Sequence, residues 1–167
     1  MKVVADSTPL ISLSKIGSVN LLKKIFKQVV IPPKIYEETI TEGKKRGKNE
    51  VTLLEKLIEE GFIFIQKPQT MMKITNLDEG EIECISLCKE GAIDTLLIDD
   101  DEGCSICQIL NINSLRTTSL LLVFLDRGFI NHEQYKELLK NLMQNGYFLD
   151  TLTYERLLTI GKNIAKK

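Results

Sequence analysis

The chain carries acidic side chains directly after two short apolar segments. Asp6 follows Val3–Ala5, and the run Asp99–Asp101 follows Thr95–Ile98. Each apolar segment has the length and composition of a buried parallel strand. The carboxyl ends of parallel strands meet at one edge of a sheet, where ligands bind. Three consecutive aspartates are too many for helix capping alone, because they repel each other unless a cation lies nearby. A simpler interpretation, that Asp6 only caps the following helix, stays open.

Two glutamates on predicted helices can lean over the same edge. On the helix that follows Pro33, Glu38 is expected to face inward and Glu37 to face solvent. On the next acidic helix, Glu81 falls within the apolar face and Glu83 falls outside it. A carboxylate among core residues is costly unless it is paired or bound to a cation. Simpler interpretations are a solvated Glu38 and a Glu81 that only favours the helix dipole.

An acidic cluster made of oxygen ligands, without a second histidine, suits a hard divalent cation. The only histidine is His132, which is far from these acids in sequence. Carboxylates are typical ligands of Mg²⁺ or Mn²⁺. The residue types therefore predict a Mg²⁺ or Mn²⁺ site.

Short strands and helices alternate along most of the chain. Thr8 suits the N-cap of the first helix, and Pro9 suits its first position. Short connections between alternating elements favour a parallel sheet with helices on both faces. We expect a three-layer α/β/α sandwich with a central, mainly parallel sheet. Residues 1–130 would form its α/β core, and residues 131–167 a C-terminal helical extension of the same domain.

The composition limits the partners. The chain has 167 residues, a 43% apolar fraction and a net charge of −1, so any nucleic-acid contact must come from a local basic patch. Lys44, Lys45 and Arg46 form the one concentrated basic segment. They suit either phosphate binding or a solvated loop. No apolar run is long enough to span a bilayer and no signal-peptide pattern is present, which predicts a cytoplasmic protein with no membrane contact.

The four cysteines allow two interpretations. Cys84 and Cys88 are one helical turn apart, and Cys104 and Cys107 form a Cys-x-x-Cys. Such spacing can indicate zinc. Both pairs lie in helical patterns rich in Ile and Leu, which favours core packing.

At this point the chain resembles PIN-domain proteins, and within them a small prokaryotic group of stand-alone PIN domains. The resemblance covers nearly the whole length and depends on the order and spacing of several segments. These segments are Val4–Ile11, Ile31–Glu38, Leu77–Glu81, Leu96–Asp100, Arg116–Thr118 and Arg127–Ile130.

The resemblance implies a PIN-like fold and a metal-dependent ribonuclease. Carried over by position, the catalytic acids would be Asp6, Glu38, Glu81 and Asp100. Asp99 would be an accessory acid of the metal site, beside Asp6, Asp100 and Glu81. Ser7, Thr8 and Thr118 would be the polar substrate-binding positions. Two departures from the family pattern, Thr117 in place of glycine and Cys104 in place of arginine, would affect substrate contact without touching the metal.

The resemblance also implies partners. RNA, single-stranded or structured, would be the substrate, and the chain could be a homodimer or the toxin of a toxin–antitoxin pair with a small antitoxin. An alternative is a catalytically weak or inactive nucleic-acid-binding or regulatory module with the same fold. A phosphatase or phosphoacceptor domain and a purely structural domain with solvated acids are further alternatives. The phosphatase pattern would place a second Asp where this chain has Thr8.

Overall fold

Five short parallel strands form the central sheet of the computed structural model, which describes residues 1–166. The strands are β1 (Lys2–Ala5), β2 (Gln28–Ile31), β3 (Ile63–Ile65), β4 (Thr95–Leu97) and β5 (Asn113–Leu115). Their order across the sheet is β3-β2-β1-β4-β5, and every pair is parallel. The central strand is therefore β1, and Val3, Val4 and Ala5 are fully buried. The predicted parallel sheet is confirmed.

Helical segments connect the strands and continue after them. The α-helices are α1 (Ser7–Lys15), α2 (Pro33–Tyr36), α3 (Glu42–Lys45), α4 (Glu50–Glu59), α5 (Glu79–Glu90), α6 (Asp101–Ile109), α7 (Thr117–Asp126), α8 (His132–Gln144) and α9 (Thr151–Ile164). A 3₁₀-helix, Val19–Lys24, follows α1, and one wide π-helical turn, Glu37–Thr41, joins α2 to α3.

The helices cover the sheet in two groups. Helix α5 packs against β1 and β4, with α2 beside it, and α6 packs against β5. Helix α1 packs with α4, α7 and α8, and α9 packs on α7 and α8. This arrangement is the expected α/β/α architecture. The division into residues 1–130 and 131–167 stays a prediction.

One local expectation was wrong. Helix α1 begins at Ser7, with Asp6 in the N-cap position, so Thr8 is not the cap and Pro9 is not the first helical residue. The helix expected after Pro33 is present and contains the π-helical turn. A π-helical turn inserts one extra residue per turn and changes which side chains share a face.

The cysteines lie where the packing interpretation places them. Cys84, Cys88 and Cys107 are buried, and Cys104 is half-buried. Burial raises the pKa of the Cys88 and Cys107 thiols to about 12, so both stay protonated at neutral pH. Such thiols behave as small apolar groups rather than as thiolate ligands.

Within residues 1–166, no helix combines the length and the apolar character that crossing a membrane requires.

Candidate active site

Asp6 lies at the carboxyl end of the central strand. Its backbone N–H donates to the Leu97 carbonyl at 2.9 Å, so the strand pairing of β1 with β4 sets its position. Asp6 is only 6% exposed, and its side chain makes no capping hydrogen bond to α1. Burial raises the pKa of Asp6 to about 7; a hydrogen bond from the Ser7 backbone N–H opposes this rise, and the nearby charges of Glu81, Asp78 and Glu38 add to it. Capping therefore does not explain this carboxylate.

Glu38 reaches the same edge from the π-helical turn. The side chain is half-buried, whereas Glu37 is exposed, as the helical spacing predicted. Partial burial raises the pKa of Glu38, and a hydrogen bond with the Ser7 side chain lowers it. Ser7 is the residue after Asp6, so this contact places Glu38 beside the end of β1.

Glu81 enters the site from the first turn of α5. Its backbone N–H donates to Asp78 Oδ1 at 2.9 Å, and its Oε2 accepts from the Asp78 backbone N–H at 3.0 Å. This is a capping box, which satisfies two amide donors at the helix start. Partial burial raises the pKa of Glu81, and the charges of Asp78 and Asp100 add to the effect. Glu81 is therefore both a capping residue and a member of the acidic cluster.

Asp78 is a site residue that the sequence analysis missed. Its charge acts on Asp6, Glu38 and Glu81, and its Oδ1 lies next to Gly80. The available signal was the spacing of an N-cap Asp followed three residues later by Glu, typical of a capping box.

Asp100 occupies the N-cap position of α6. Its Oδ2 accepts from the Gly103 backbone N–H at 2.8 Å. A Cβ at residue 103 would lie 2.4 Å from Ile98 Cδ1, so any larger residue there would require the buried Ile98 side chain to move. The charge of Asp100 acts on Glu81, which places the two carboxylates on facing sides of the same edge.

Asp99 has a different environment. Its Oδ1 accepts hydrogen bonds from the Thr117 backbone N–H at 2.8 Å and from the Tyr147 hydroxyl at 2.6 Å, and its Oδ2 accepts from Thr117 Oγ1 at 2.6 Å. Both oxygens are therefore engaged in holding the start of α7 and the segment after α8. The Tyr147 contact had no local signal in the sequence, because the two residues are 48 positions apart.

The basic segment does not join this site. Lys44 pairs with Glu55 at 2.5 Å, and Lys45 pairs with Glu42 at 2.7 Å, while Arg46 is exposed at the end of α3. The ion pairs direct both lysines toward α4 and their own helix. Their expected role in substrate binding stays a prediction.

Glu83 was expected to lie outside the apolar face of its helix, and this was wrong. It is 8% exposed, and its Oε2 accepts from the Lys34 backbone N–H at 3.0 Å. Glu83 thus caps the start of α2, on another element. A helical wheel identifies the face of a residue but not a buried partner on a neighbouring helix.

The donor set fits a hard divalent cation in its chemistry and charge. Carboxylates at the end of β1, on the π-helical turn and at the starts of α5 and α6 lie at one edge, and the charges of Glu81, Asp78 and Glu38 add to the effect of burial in raising the pKa of Asp6. A cation there would offset this repulsion. Within residues 1–166, no three His, Cys, Asp or Glu side chains converge tightly enough to form a coordination group. The capping hydrogen bonds of Glu81 and Asp100 use one oxygen of each carboxylate.

A groove of about 750 Å³ opens beside Asp99 and Asp100, whereas Asp6, Glu38 and Glu81 are not among the residues that line it. It runs from Thr8 on α1 past Asp99 and Asp100 to the segment between α8 and α9. Arg116 and Thr118 line it as well. Two of the predicted substrate-binding residues, Thr8 and Thr118, therefore face a space that leads to Asp100.

Comparison with known proteins identifies the fold and the family. A solved structure of a PilT N-terminus domain protein from the hyperthermophilic archaeon Sulfolobus solfataricus P2 matches with a TM-score of 0.54 and 19% identity, covering 72% of this chain and 90% of that chain. At this identity the match concerns the fold alone. No curated protein matches the chain. A family model described as a PIN domain matches residues 2–162. The chain therefore belongs to the PIN-domain family, a family with a nuclease fold.

Proposed function

We propose that the protein is a divalent-metal-dependent ribonuclease whose catalytic acids are Asp6, Glu38, Glu81 and Asp100. The main support is the environment of Asp6, a buried carboxylate surrounded by acids from other elements. A buried acid without a cation or a basic partner is costly, and such perturbed groups cluster at functional sites.

The residues divide into roles by their contacts. Asp6 and Asp100 would hold Mg²⁺ or Mn²⁺ directly, and Glu38 and Glu81 would complete the site directly or through water. When bound, the metal would supply an activated water and offset the charge that develops on the scissile phosphate. Asp99 would position Tyr147 and the start of α7. Its two carboxylate oxygens already accept three hydrogen bonds, so neither is free of other contacts to bind the metal.

Three polar residues would orient the RNA backbone. Ser7 contacts Glu38, and Thr8 and Thr118 line the groove. Hydroxyl groups can donate to phosphate oxygens, and phosphate contacts fix the register of the chain rather than its sequence. The scissile phosphate would then lie between these hydroxyls and the acids.

The experiment compares the wild type with Asp6→Asn and Asp100→Asn. We expect Mn²⁺ to raise the melting temperature of the wild type, because a ligand that binds the folded state stabilises it. Each substitution should remove that rise and lower RNA cleavage by at least about a hundred-fold, since the lost metal contact is worth several kcal/mol in the transition state. Asp126→Asn, at an exposed acid at the end of α7, is the control and should change neither result.

A second candidate function is a nucleic-acid-binding module with little or no turnover. The observation that favours it is the lack of a converged coordination group within the described chain. RNA binding without Mn²⁺ stabilisation and without cleavage would support this candidate. Full activity in the Asp6→Asn, Asp100→Asn double variant would contradict the metal-dependent proposal.

We further propose partners for the C-terminal helices. The partner would be a second copy or a small antitoxin, and the exposed apolar side chains Leu152 and Ile160 on α9, 57% and 45% exposed, are positions that it could cover. The role as a toxin depends on such a partner.

A further inference from the structure

We propose that the segment joining α8 to α9, residues 145–150, forms a subsite for one unpaired base of the RNA substrate. In this subsite Phe148 stacks on the base and Lys15 contacts a neighbouring phosphate. The inference rests on the proposed function, because it adds a base-binding position to the groove of the same ribonuclease.

The inference depends on the exposure of Phe148 and on its position in the groove. Its side chain is 87% exposed, the most exposed of the large apolar side chains in the described chain, and it lines the groove that contains Asp100. An aromatic ring left in water beside an acidic site has its apolar faces unpaired. Stacking of a nucleic-acid base on an aromatic ring covers such a face without reading sequence.

The segment that carries Phe148 is anchored at several points. The neighbouring Tyr147 hydroxyl donates to Asp99 at 2.6 Å, and the Tyr147 backbone N–H donates to the Leu142 carbonyl at 3.0 Å. Lys15 Nζ lies 3.4 Å from the Asn145 carbonyl oxygen. These contacts tie the segment to α1 and to Asp99, which follows β4. They hold Phe148 beside the groove that contains Asp100.

The groove is lined by four aspartates and by two basic side chains, Lys15 and Arg116, and the aspartates already accept hydrogen bonds from neighbouring groups. Asp101 is paired with Arg116 at 2.5 Å, and Asp150 accepts hydrogen bonds from Thr153 at the start of α9. Asp99 is engaged by Thr117 and Tyr147, as described above. Lys15 is exposed, and its only polar contact in the described chain is with the Asn145 backbone carbonyl. Its ammonium group therefore has further N–H donors for a phosphate oxygen.

The chemistry selects single strands. Bases in an A-form helix are paired and stacked on one another, and a side chain cannot cover their faces without opening the duplex. An unpaired base can turn outward and stack on Phe148 while its backbone passes Asp100. We therefore expect the groove to discriminate against duplex RNA.

The test measures binding rather than cleavage. A fluorescein-labelled single-stranded oligouridine and an RNA duplex of equal length are titrated in EDTA, with fluorescence anisotropy as the readout. Phe148→Ala should weaken single-strand binding roughly five- to a hundred-fold, the range that loss of one base–aromatic stack produces. Phe148→Trp should retain binding, and neither change should alter duplex binding. Ile109→Ala is the matched control, because Ile109 is 74% exposed on α6 outside the groove.

Four results would overturn the subsite. They are no single-strand binding by the wild type, equal binding by Phe148→Ala, equal losses for single strand and duplex, and conversion of a dimer into a monomer by Phe148→Ala with binding unchanged. The last result would assign Phe148 to an interface between copies.

Cleavage assays with Mn²⁺ separate the two proposals. Phe148-dependent binding without any cleavage would refute the ribonuclease and leave the subsite. Cleavage of single strands that does not depend on Phe148 would refute the subsite and leave the ribonuclease.

Discussion

At the scale of single residues, Asp6 is the most unusual group in the site. Its pKa rises from 3.8 to about 7, first because of burial and then because of the surrounding acids. Between pH 3.8 and about pH 7 the Asp6 carboxyl is ionised in the unfolded chain but still protonated in the folded protein. The folded state then binds more protons, so stability falls as the pH rises through this window.

The first prediction concerns Asp6→Asn in EDTA. The neutral amide cannot ionise, so the variant should gain free energy of unfolding relative to the wild type as the pH rises from 5 to 8. The whole shift corresponds to about 4 kcal/mol, of which about 3 kcal/mol falls between pH 5 and pH 8, and we expect a gain of at least about 1 kcal/mol. Urea unfolding at the two pH values measures it. If the free energies of unfolding of the variant and the wild type differ by the same amount at pH 5 and pH 8, Asp6 does not titrate between them.

At the scale of elements, the starts of helices deliver the acids. Asp6, Asp78 and Asp100 all occupy N-cap positions, and Glu81 lies in the first turn of α5. Helix N-termini carry partial positive charge and unpaired amide donors, which favour carboxylates there. The same helix starts therefore hold the cluster together before any cation is bound.

The second prediction concerns Glu83, which links α5 to α2. Glu83→Ala removes the acceptor of the Lys34 backbone N–H. We expect the free energy of unfolding to fall by about 1–2 kcal/mol, the usual cost of a lost helix cap. Urea unfolding measures the change. Glu79→Ala on the same helix is the control and should cost little, because its side chain is 68% exposed and its contact with Lys34 is a 3.9 Å surface ion pair.

A loss of similar size in both variants would contradict the capping role. Loss of Mn²⁺ stabilisation in Glu83→Ala, with the variant still folded, would further show that α2 positions Glu38 through this contact.

At the scale of the whole molecule, α9 packs closely against α8. A Cβ at Gly161 would lie 2.4 Å from Tyr135 Cε1. Tyr135 is fully buried, and its hydroxyl donates to the Leu157 carbonyl at 3.0 Å. The close approach means that α8 and α9 pack directly against each other, and both helices also contact α7.

The third prediction follows from this close approach. Gly161→Ala would normally stabilise a helix by about 1 kcal/mol. Here we expect it to destabilise the protein by about 1–3 kcal/mol, since overpacking forces side chains or backbone to move. Thermal unfolding should show one transition that shifts to lower temperature. Gly91→Ala is the control, because its nearest contact lies at 3.1 Å, and a smaller loss is expected there.

Two separate transitions would contradict the interpretation that residues 131–167 extend the same domain. A gain in stability for Gly161→Ala would contradict the packing of α9 on Tyr135.

The sequence by itself determined which segments form strands and helices and which acids end the strands. Alternation, apolar runs and turn residues are local signals, so β1, β4 and the helix of Glu81 could be placed without coordinates. The parallel sheet followed from the short connections between alternating elements. The resemblance to PIN-domain proteins then predicted that the catalytic acids are Asp6, Glu38, Glu81 and Asp100.

Only the tertiary structure decided which side chains meet. Pairing of Ala5 with Leu97 brings Asp6 beside the start of α6, and no local pattern gives strand order. The roles of Glu83 and Tyr147 depend on hydrogen bonds to other elements, as does the engagement of Asp99. Asp78 acts on Asp6 and Glu38 through its charge, which depends on how closely the packed elements bring these acids together. A carboxylate has the same sequence signature whether it binds a cation, a backbone amide or a tyrosine. The choice depends on which donors the packed elements bring within about 3 Å.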